Sequence, residues 1–111
     1  MLTTVVELPD FARRAKAAMT DAVRTELINT LAANPEAGVS LGGGLRKARF
    51  GRTGGGKSGG FRTIHFYRSG AGPLLLLTMF AKNEKANLSA AELAGLLKLG
   101  EDVDSFYRKR T

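Results

Sequence analysis

The centre of the fold is predicted by the stretch from Leu45 to Phe80, which reads LRKARFGRTGGGKSGGFRTIHFYRSGAGPLLLLTMF. Apolar and basic side chains alternate over Leu45–Arg52, aromatic and β-branched residues fill Phe61–Arg68, and Pro73–Phe80 is apolar almost throughout. Alternation with period two indicates a strand, and a continuous apolar run indicates a central strand buried on both faces. Because a glycine-rich loop, Thr53–Gly60, separates the first two segments, we predict an antiparallel meander of three strands.

A short strand and two helices are predicted upstream of the meander. Thr3–Leu8 has the composition of a strand, and Pro9 then suits the first turn of a helix, with Asp10 near its positive end. A second helix begins at Thr20–Asp21 and ends at Asn34–Pro35, because a residue that precedes proline disfavours the helical conformation. The apolar stripes of the two helices consist of Phe11, Ala15 and Ala18 and of Val23, Leu27, Ile28 and Leu31.

One connection and a third helix complete the predicted fold. Gly38–Gly44 is rich in turn-forming residues and is predicted to be a connection. Ser89 has Glu92 three positions later, which is the spacing of a capping box, and Gly100 interrupts the helix that follows. These elements predict a single α+β domain over residues 1–111, with a small, mostly antiparallel sheet and its helices on one side. The buried stripe of the third helix consists of Leu93, Leu96 and Leu97.

The positive charge of the chain is concentrated in one block. No acidic residue occurs between Glu36 and Glu84, and eight basic residues give this block a local charge of +8. The rest of the chain has nine basic and ten acidic residues, so the whole excess of +7 belongs to the block. A surface that serves only solubility mixes both signs, and the block therefore indicates a surface that faces phosphate. Its cations are Arg46, Lys47, Arg49, Arg52, Lys57, Arg62, Arg68 and Lys82.

Composition excludes several other classes of protein. A hydrophobic fraction of 43% in 111 residues argues for one folded domain and against disorder. A sequence pI ≈ 10.3 favours nucleic acid or another polyanion as partner and leaves an anionic lipid surface open. No cysteine is present, which excludes disulfides and thiolate metal sites. We expect a cytoplasmic protein with no membrane association, since neither a secretion signal nor an apolar run of spanning length occurs.

One short match to a nucleotide-binding motif is rejected. Gly51–Ser58 satisfies the Walker A pattern G-x-x-x-x-G-K-[ST]. That motif needs a helix directly after the loop, because the helix N-terminus and the loop amides hold the phosphates. Here Gly59–Gly60 and a strand-like segment follow, and no acidic residue in the block is available to position Mg²⁺. The loop is expected to contact phosphate at most through Lys57 and its glycine amides.

Three segments of the chain contain sequence motifs that are informative in combination. They are Gly43–Phe50 (GGLRKARF), Gly56–Tyr67 (GKSGGFRTIHFY) and Leu77–Ser89 (LTMFAKNEKANLS). Their combination resembles the RelE/HigB-like toxins of bacterial and phage-derived type II toxin–antitoxin modules, and among these the phage-derived HigB-type subfamily. The resemblance extends from about Asn34 to Leu99. It implies the RelE/ParE-like fold, with a small curved antiparallel sheet, two N-terminal helices and a C-terminal helix.

The resemblance also implies an activity and partners. The activity is cleavage of messenger RNA in the ribosomal A site, without a metal ion or another cofactor. The 2′-OH attacks the adjacent phosphate and gives a 2′,3′-cyclic phosphate or its opened product. The implied partners are the ribosome with its message and a cognate antitoxin, often with a helix-turn-helix DNA-binding domain, in a hetero-oligomer.

By position, the resemblance implies catalytic roles for four cations. Arg62 matches an arginine that the family places near the scissile phosphate, on the strand after the loop. Lys47 and Arg49 match two cations of the preceding strand, where period two places both on one face. Lys82 falls in the basic segment after the last strand.

Other residues are candidate RNA contacts. They are Lys57, Arg46, Arg52 and Asn83. Alternation places Arg46 on the opposite strand face, so its contact would be peripheral or its role structural. Asn83 stands where RelE itself has an arginine, and the chain lacks that toxin's tyrosine near Leu88 and Ser89. The general acid and base are therefore unassigned.

The chemistry of RNA cleavage agrees with these residue types. Attack by a 2′-OH on a phosphodiester builds negative charge on the non-bridging oxygens, and fixed cations stabilise that charge. RNA supplies its own nucleophile, so no Ser, Cys or metal ligand is required. His65 falls in the pH range of a general base, but a lone histidine among Ile64, Phe66 and Tyr67 more often packs in a core.

Two other functions remain open at the level of the sequence. The same fold carries gyrase poisons of the ParE branch, which do not cleave RNA. A non-catalytic nucleic-acid-binding module would have a similar basic block. The cation pattern favours the endoribonuclease, since it matches that subfamily.

Overall fold

The structure is a computed structural model that describes residues 2–52, 56–70, 72–82 and 87–109, with the backbone alone at positions 52 and 56–59. Eight elements follow one another in these residues. They are β1 (Val5–Glu7), α1 (Pro9–Ala18), α2 (Asp21–Ala33), β2 (Val39–Gly42), β3 (Leu45–Arg52), β4 (Gly56–Phe66), β5 (Leu74–Ala81) and α3 (Ala90–Lys109).

The five strands form one mixed sheet in the order β1-β5-β4-β3-β2. Strands β2 to β5 pair antiparallel with their neighbours, whereas β1 pairs parallel with β5. The predicted meander is therefore confirmed as β3, β4 and β5, and the α+β class of a RelE/ParE-like fold is confirmed with it. In the part of the chain described, no helix has both the length and the apolar character that a membrane span requires.

The helices cover both faces of the sheet. On one face Phe11 of α1 and Leu27 of α2 pack with Phe61, and on the other face leucines of α3 pack with Ile64 and Phe66. The expectation that all helices lie on one side is therefore wrong. Strands β4 and β5 both have buried side chains on the two faces of the sheet, so each face needs its own helical layer.

Several element boundaries also differ from the sequence prediction. Strand β4 begins at Gly56, so Gly56–Gly60 is strand where a loop was expected, and the pairing of Arg52 with Gly56 shows how the hairpin is extended. Gly60 has φ 110, a conformation that glycine adopts without strain. Strand β2 lies within the predicted connection Gly38–Gly44. Helix α3 continues through Gly100.

The predicted capping box of α3 is confirmed, and the predicted start of α2 is also capped. The hydroxyl of Thr20 accepts a hydrogen bond from the backbone N–H of Val23 at 3.2 Å. At the start of α3 the Glu92 N–H donates to the Ser89 hydroxyl at 3.1 Å, and the Ser89 N–H donates to the Glu92 carboxylate at 2.8 Å. This reciprocal capping box fixes where α3 begins.

Gly100 sets the distance between α3 and the sheet. The Phe66 ring is fully buried beneath this residue, and a Cβ on Gly100 would lie 2.4 Å from Phe66 Cδ2. Arg68 holds the same ring from another side, with its guanidinium carbon 4.9 Å from the ring centroid. Only glycine allows this close approach, and α3 keeps its helical course through it.

We predict that Gly100→Ala destabilises the protein by about 1–3 kcal/mol, because the added methyl group overpacks the contact with Phe66. Gly95→Ala is the matched control in the same helix, since a Cβ there meets nothing within 4 Å. It should stabilise the protein by about 0.5–1 kcal/mol through helix propensity. Urea unfolding of both variants measures the difference, and equal stability of the two would contradict this account of the α3 packing.

Candidate active site

Three of the predicted catalytic cations lie together on the sheet face that α3 partly covers. Arg49 of β3 is directly opposite Arg62 of β4, and Lys47 is opposite Ile64. Directly opposed residues of neighbouring strands point to the same face, and Ile64 belongs to the apolar cluster beneath α3. We call Lys47, Arg49 and Arg62 the cationic face. Arg49 is exposed, whereas Lys47 and Arg62 are half-buried.

A β-bulge in β5 determines which of its side chains lie on the same side of the sheet as the cationic face. The register shifts so that Thr78 pairs with Ile64 and Leu76 with His65, which leaves Leu77 as an extra residue. Beyond Leu77 the alternate side chains of β5 therefore exchange faces of the sheet. As a result Phe80 lies on the side of the cationic face, opposite Arg62. One row across the sheet is Lys47–Ile64–Thr78, and the next is Arg49–Arg62–Phe80.

In the described part of the chain some basic side chains are accompanied by a carboxylate, and those of the cationic face are not. Six other basic residues each lie within 4.0 Å of a carboxylate: Arg13, Arg14, Arg24, Arg68, Lys98 and Arg108. Among the described residues no such partner accompanies Lys47, Arg49 or Arg62. The charge of this face is therefore not neutralised by the fold and is available to an anion.

The opposition of Arg49 and Arg62 has an energetic cost. Like charges directly opposite on neighbouring strands destabilise a sheet, by an amount on the order of the 0.2–1 kcal/mol typical of cross-strand pairs. Nothing in the described packing requires two arginines there. A destabilising arrangement on an open surface is typical of a functional site, where stability is lost in favour of activity.

The structure separates Arg46 from the cationic face. Arg46 pairs with His65 and so lies on the face of α1 and α2. Its guanidinium donates hydrogen bonds to the carbonyl oxygens of Ala37 at 3.3 Å and Gly38 at 3.0 Å. These bonds fasten the connection before β2 to the edge of the sheet.

His65 is buried on the same face as Arg46. Its side chain is fully inaccessible, and Nε2–H donates to the carbonyl oxygen of Pro35 at 2.9 Å, while Nδ1 has no hydrogen-bond partner among the residues that the structure describes. Burial lowers the pKa of His65 to about 4; the hydrogen bond to Pro35 opposes this shift and the charge of Arg46 adds to it. A neutral histidine on the opposite face of the sheet is a core residue, as its apolar neighbours in the sequence indicated.

The remaining candidate residues lie at the end of the sheet near the cationic face or outside the description. Lys82 follows β5 directly, its side chain is exposed, and its N–H donates to the Gly60 carbonyl at 3.3 Å. Arg52 and Lys57 lie in β3 and β4, but their side chains are outside the described residues, as is the whole of Asn83. The position of Lys57 in a strand confirms that a phosphate-binding helix does not follow the Walker-like string.

A cavity of about 320 Å³ adjoins the cationic face. It was not predicted from the sequence. It lies between α1, β5 and α3. We call it the α1–α3 cavity. Its lining residues are Asp10, Arg14, Thr78, Met79, Phe80, Leu88, Glu92, Gly95 and Leu96. The one signal for it in the sequence is Thr78, a polar residue within the apolar strand β5.

Asp10 is the centre of the polar wall of this cavity. Thr78 donates its hydroxyl proton to Asp10 Oδ2 at 2.5 Å, Arg14 donates to the same oxygen at 3.1 Å, and Arg13 pairs with Oδ1. Burial raises the pKa of Asp10, but the hydrogen bond from Thr78 and the charges of Arg14 and Arg13 outweigh it and lower the pKa below its usual value. The carboxylate is therefore ionised and accepts hydrogen bonds at neutral pH.

The described residues contain no group of three or more His, Cys, Asp or Glu side chains arranged to hold a metal ion. The site thus offers guanidinium and ammonium groups on one face and, beside them, a cavity lined by two carboxylates, Asp10 and Glu92, of which Glu92 accepts the capping bond of α3.

A comparison with protein families identifies the family to which the chain belongs. The family model described as the RelE toxin of the RelE/RelB toxin–antitoxin system matches residues 4–110. The chain belongs to the RelE toxin family. A RelE-family protein is the toxin of a toxin–antitoxin module, and an antitoxin is its partner. The match includes every element from β1 to α3, so both faces of the sheet belong to the family fold.

We predict that His65 makes this RelE-family protein sensitive to mild acid. The folded pKa is about 4 and the unfolded value is 6.5, so between these values the unfolded chain binds the proton that the folded chain excludes. Stability is therefore unaffected by His65 above pH 6.5 and falls by about 3 kcal/mol as the pH drops to 4.

Urea unfolding of the wild type and of His65→Gln between pH 7 and pH 4 measures this effect. Other acidic groups titrate equally in both proteins, so the stability difference between them should shift by about 3 kcal/mol in favour of His65→Gln. A difference that is constant with pH would show that His65 is not buried in its neutral form.

Proposed function

We propose that this protein is a ribosome-dependent endoribonuclease that cleaves messenger RNA and so inhibits translation. The observation that carries the proposal is the opposition of Arg49 and Arg62, with Lys47 in the neighbouring row of the same face. No carboxylate in the described part of the chain is paired with any of the three. Membership of the RelE family supports the toxin role, and this face supplies the chemistry for it.

The proposed reaction is a transesterification within the RNA. The 2′-hydroxyl loses its proton as its oxygen forms a bond to the adjacent phosphorus, the bond from phosphorus to the 5′-oxygen breaks, and the departing 5′-oxygen takes up a proton. The products are a 2′,3′-cyclic phosphate and a 5′-hydroxyl group, and no water or metal-bound hydroxide takes part in this step. Negative charge grows on the phosphoryl oxygens in the transition state, and cations fixed beforehand by a sheet stabilise it without reorganisation.

Arg62 is the proposed main contact to the scissile phosphate. It lies on the middle strand of its row, between Arg49 on β3 and Phe80 on β5. A guanidinium group forms two parallel N–H···O bonds to a phosphate, which fixes geometry as well as charge. Arg49 and Lys47 would then bind the neighbouring part of the backbone, and Lys82 would approach it from the end of β5.

The charge distribution also supports the proposed partners. The excess of +7 belongs to the acid-free block, and both the ribosome and its message are polyanions that such a field attracts. We further propose a cytoplasmic location, membership of the HigB-type subfamily, and an antitoxin of the helix-turn-helix type. A helix-turn-helix protein encoded beside this chain would support the last two statements.

We predict that Arg62→Ala lowers the rate of mRNA cleavage by about 10²–10³-fold, because it removes a fixed charge from the transition state. Lys98→Ala is the matched control. It also removes one positive charge, but from an exposed pair with Asp102 on α3, where little stability is lost. Lys98→Ala should unfold at the urea concentration of the wild type, and Arg62→Ala at the same or a slightly higher concentration, because it relieves the repulsion by Arg49; both should bind the antitoxin.

Induced expression followed by primer extension on cellular messages measures the effect. Translation-dependent cuts within codons should appear with the wild type and Lys98→Ala and vanish with Arg62→Ala. Growth arrest with intact messages and broken DNA would indicate a gyrase poison instead. A harmless protein that binds RNA without cutting it would indicate a binding module, and full cutting by Arg62→Ala would overturn the role of Arg62.

A further inference from the structure

The α1–α3 cavity has the features of a ligand site, although the proposed reaction makes no use of it. Its volume of about 320 Å³ is at the lower end of the range for small-molecule pockets. Met79, Leu88 and Leu96 supply apolar wall, and Asp10 supplies a hydrogen-bonding group at one end. Apolar walls with a few oriented polar groups are the usual composition of such pockets.

The cavity adjoins the cationic face. Phe80 lines the cavity and lies directly opposite Arg62, and Thr78 lines it and lies two positions across the sheet from Lys47. Neighbouring strands are ~4.8 Å apart. A phosphate bound at Arg62 would therefore be within about one nucleotide of the mouth of the cavity.

The β-bulge at Leu77 is what connects the two sites. Without the extra residue, Thr78 and Phe80 would point to the face of α1 and α2, and Met79 would point to the side of α3. Bulges commonly redirect side chains next to active sites. Here the bulge aims Thr78 at Asp10 and places Phe80 between the cavity and Arg62.

We propose that the α1–α3 cavity receives a nucleobase of the RNA strand whose phosphate binds the cationic face, and that Asp10 selects a base that carries an exocyclic amino group. The proposal rests on the proposed function, since the strand is that of the RNA substrate. Unpaired bases of RNA are commonly splayed out, stacked against apolar surface and read along their Watson–Crick edges.

Asp10 has the right chemistry for this selection. An ionised carboxylate only accepts hydrogen bonds and has about four acceptor sites. Thr78 and Arg14 use Oδ2 and Arg13 uses Oδ1, which leaves Oδ1 further capacity, and 41% of the side chain is exposed. Guanine, adenine and cytosine offer amino N–H donors to it, guanine with an adjacent ring N–H. Uracil has no amino group, and its one N–H on that edge lies between two carbonyl oxygens that a carboxylate repels.

A structural role for the same contacts has a different consequence. If Asp10 and Thr78 only join α1 to β5, then changing them alters stability and the cleavage of every sequence equally. If Asp10 reads a base, changing it alters the ratio of rates between bases. The ratio is therefore the decisive quantity.

The first experiment measures cleavage of ribosome-bound messages that differ in one base at each position around the cut. We expect wild-type protein to favour an amino-bearing base over uracil at one position by ~10-fold or more, as good hydrogen-bonded base contacts do. Asp10→Asn should reduce that ratio to near one. Asp21→Asn is the matched control, an acidic residue in the first turn of α2 as Asp10 is in α1, and should retain the ratio.

A second pair of variants tests the cavity itself. Gly95 lines the cavity, and a Cβ there meets nothing within 4 Å, so Gly95→Leu should fill the space and remove the base preference while the protein stays folded. Ala94→Leu adds the same side chain at the neighbouring exposed position of α3 and should keep the preference. A preference that survives both Asp10→Asn and Gly95→Leu overturns the proposal, even where cutting itself is normal.

A third measurement does not depend on cleavage. Guanosine and uridine 5′-monophosphate are titrated into the purified protein and the amide signals of Thr78 and Gly95 are followed by NMR. Guanosine monophosphate should bind ~10-fold more tightly, and Asp10→Asn should abolish the difference. That result with no RNA cleavage would support the base pocket and reject the endonuclease. Cleavage without any shift at Thr78 and Gly95 would reject the pocket and keep the endonuclease.

Discussion

The contact between Gly100 of α3 and the Phe66 ring is the constraint on which the rest of the structure depends. It brings α3 close to the sheet over Leu45 and Phe66, at one end of β3 and β4. The other end of the same face is left to Arg49 and Arg62. A helix held further away would not bury Phe66, and one shifted along the sheet would cover the arginines.

The position of α3 also explains the cavity. The capping box at Ser89 and Glu92 fixes the start of the helix beside β5, and α1 approaches the same strand through the bond between Asp10 and Thr78. The two helices leave a space between them that opens toward Phe80 and Arg62. One packing arrangement thus yields an open cationic face and a cavity next to it.

The distribution of charged side chains is a second constraint on the structure, beside the packing of α3. Outside the cationic face, cations such as Arg24 and Arg108 are paired with carboxylates, in the case of Arg108 with the buried Asp104. At the cationic face two arginines oppose each other across strands, and the surrounding sequence from Glu36 to Glu84 has no carboxylate between its ends. The arrangement repels itself and attracts phosphate, and the burial of side chains on both faces of the sheet offsets its small energetic cost.

Much of this fold could be predicted from local sequence pattern, because the deciding interactions are local. Strand β3 follows from the alternation over Leu45–Arg52, and the start of α3 follows from the spacing of Ser89 and Glu92. The shared face of Lys47 and Arg49 follows from period two alone. The family resemblance added the role of Arg62, and the pairing of Arg62 with Arg49 agrees with that assignment without testing it.

The features that escaped prediction depend on long-range pairing. Gly56–Gly60 has the composition of a loop, but its pairing with β3 makes it a strand. The bulge at Leu77 cannot be recognised within a continuous apolar run, although it determines to which face of the sheet Thr78 and Phe80 point. The contact between Asp10 and Thr78 joins residues 68 positions apart, so the local sequence marks Thr78 as unusual but does not indicate its partner or the cavity. The placement of helices on both faces agrees with the apolar composition of β5, which is buried on both faces.

The most direct test of the central claim is the chemistry of the ends that the purified protein leaves on messages bound to translating ribosomes. If the cationic face promotes attack by the 2′-OH, the downstream fragments carry 5′-hydroxyl groups and the upstream fragments carry 2′,3′-cyclic phosphates or their opened products. The 5′-hydroxyl ends are detected as fragments that can be ligated only after a kinase has phosphorylated them. Fragments with 5′-phosphates, or messages that stay intact, would contradict the account.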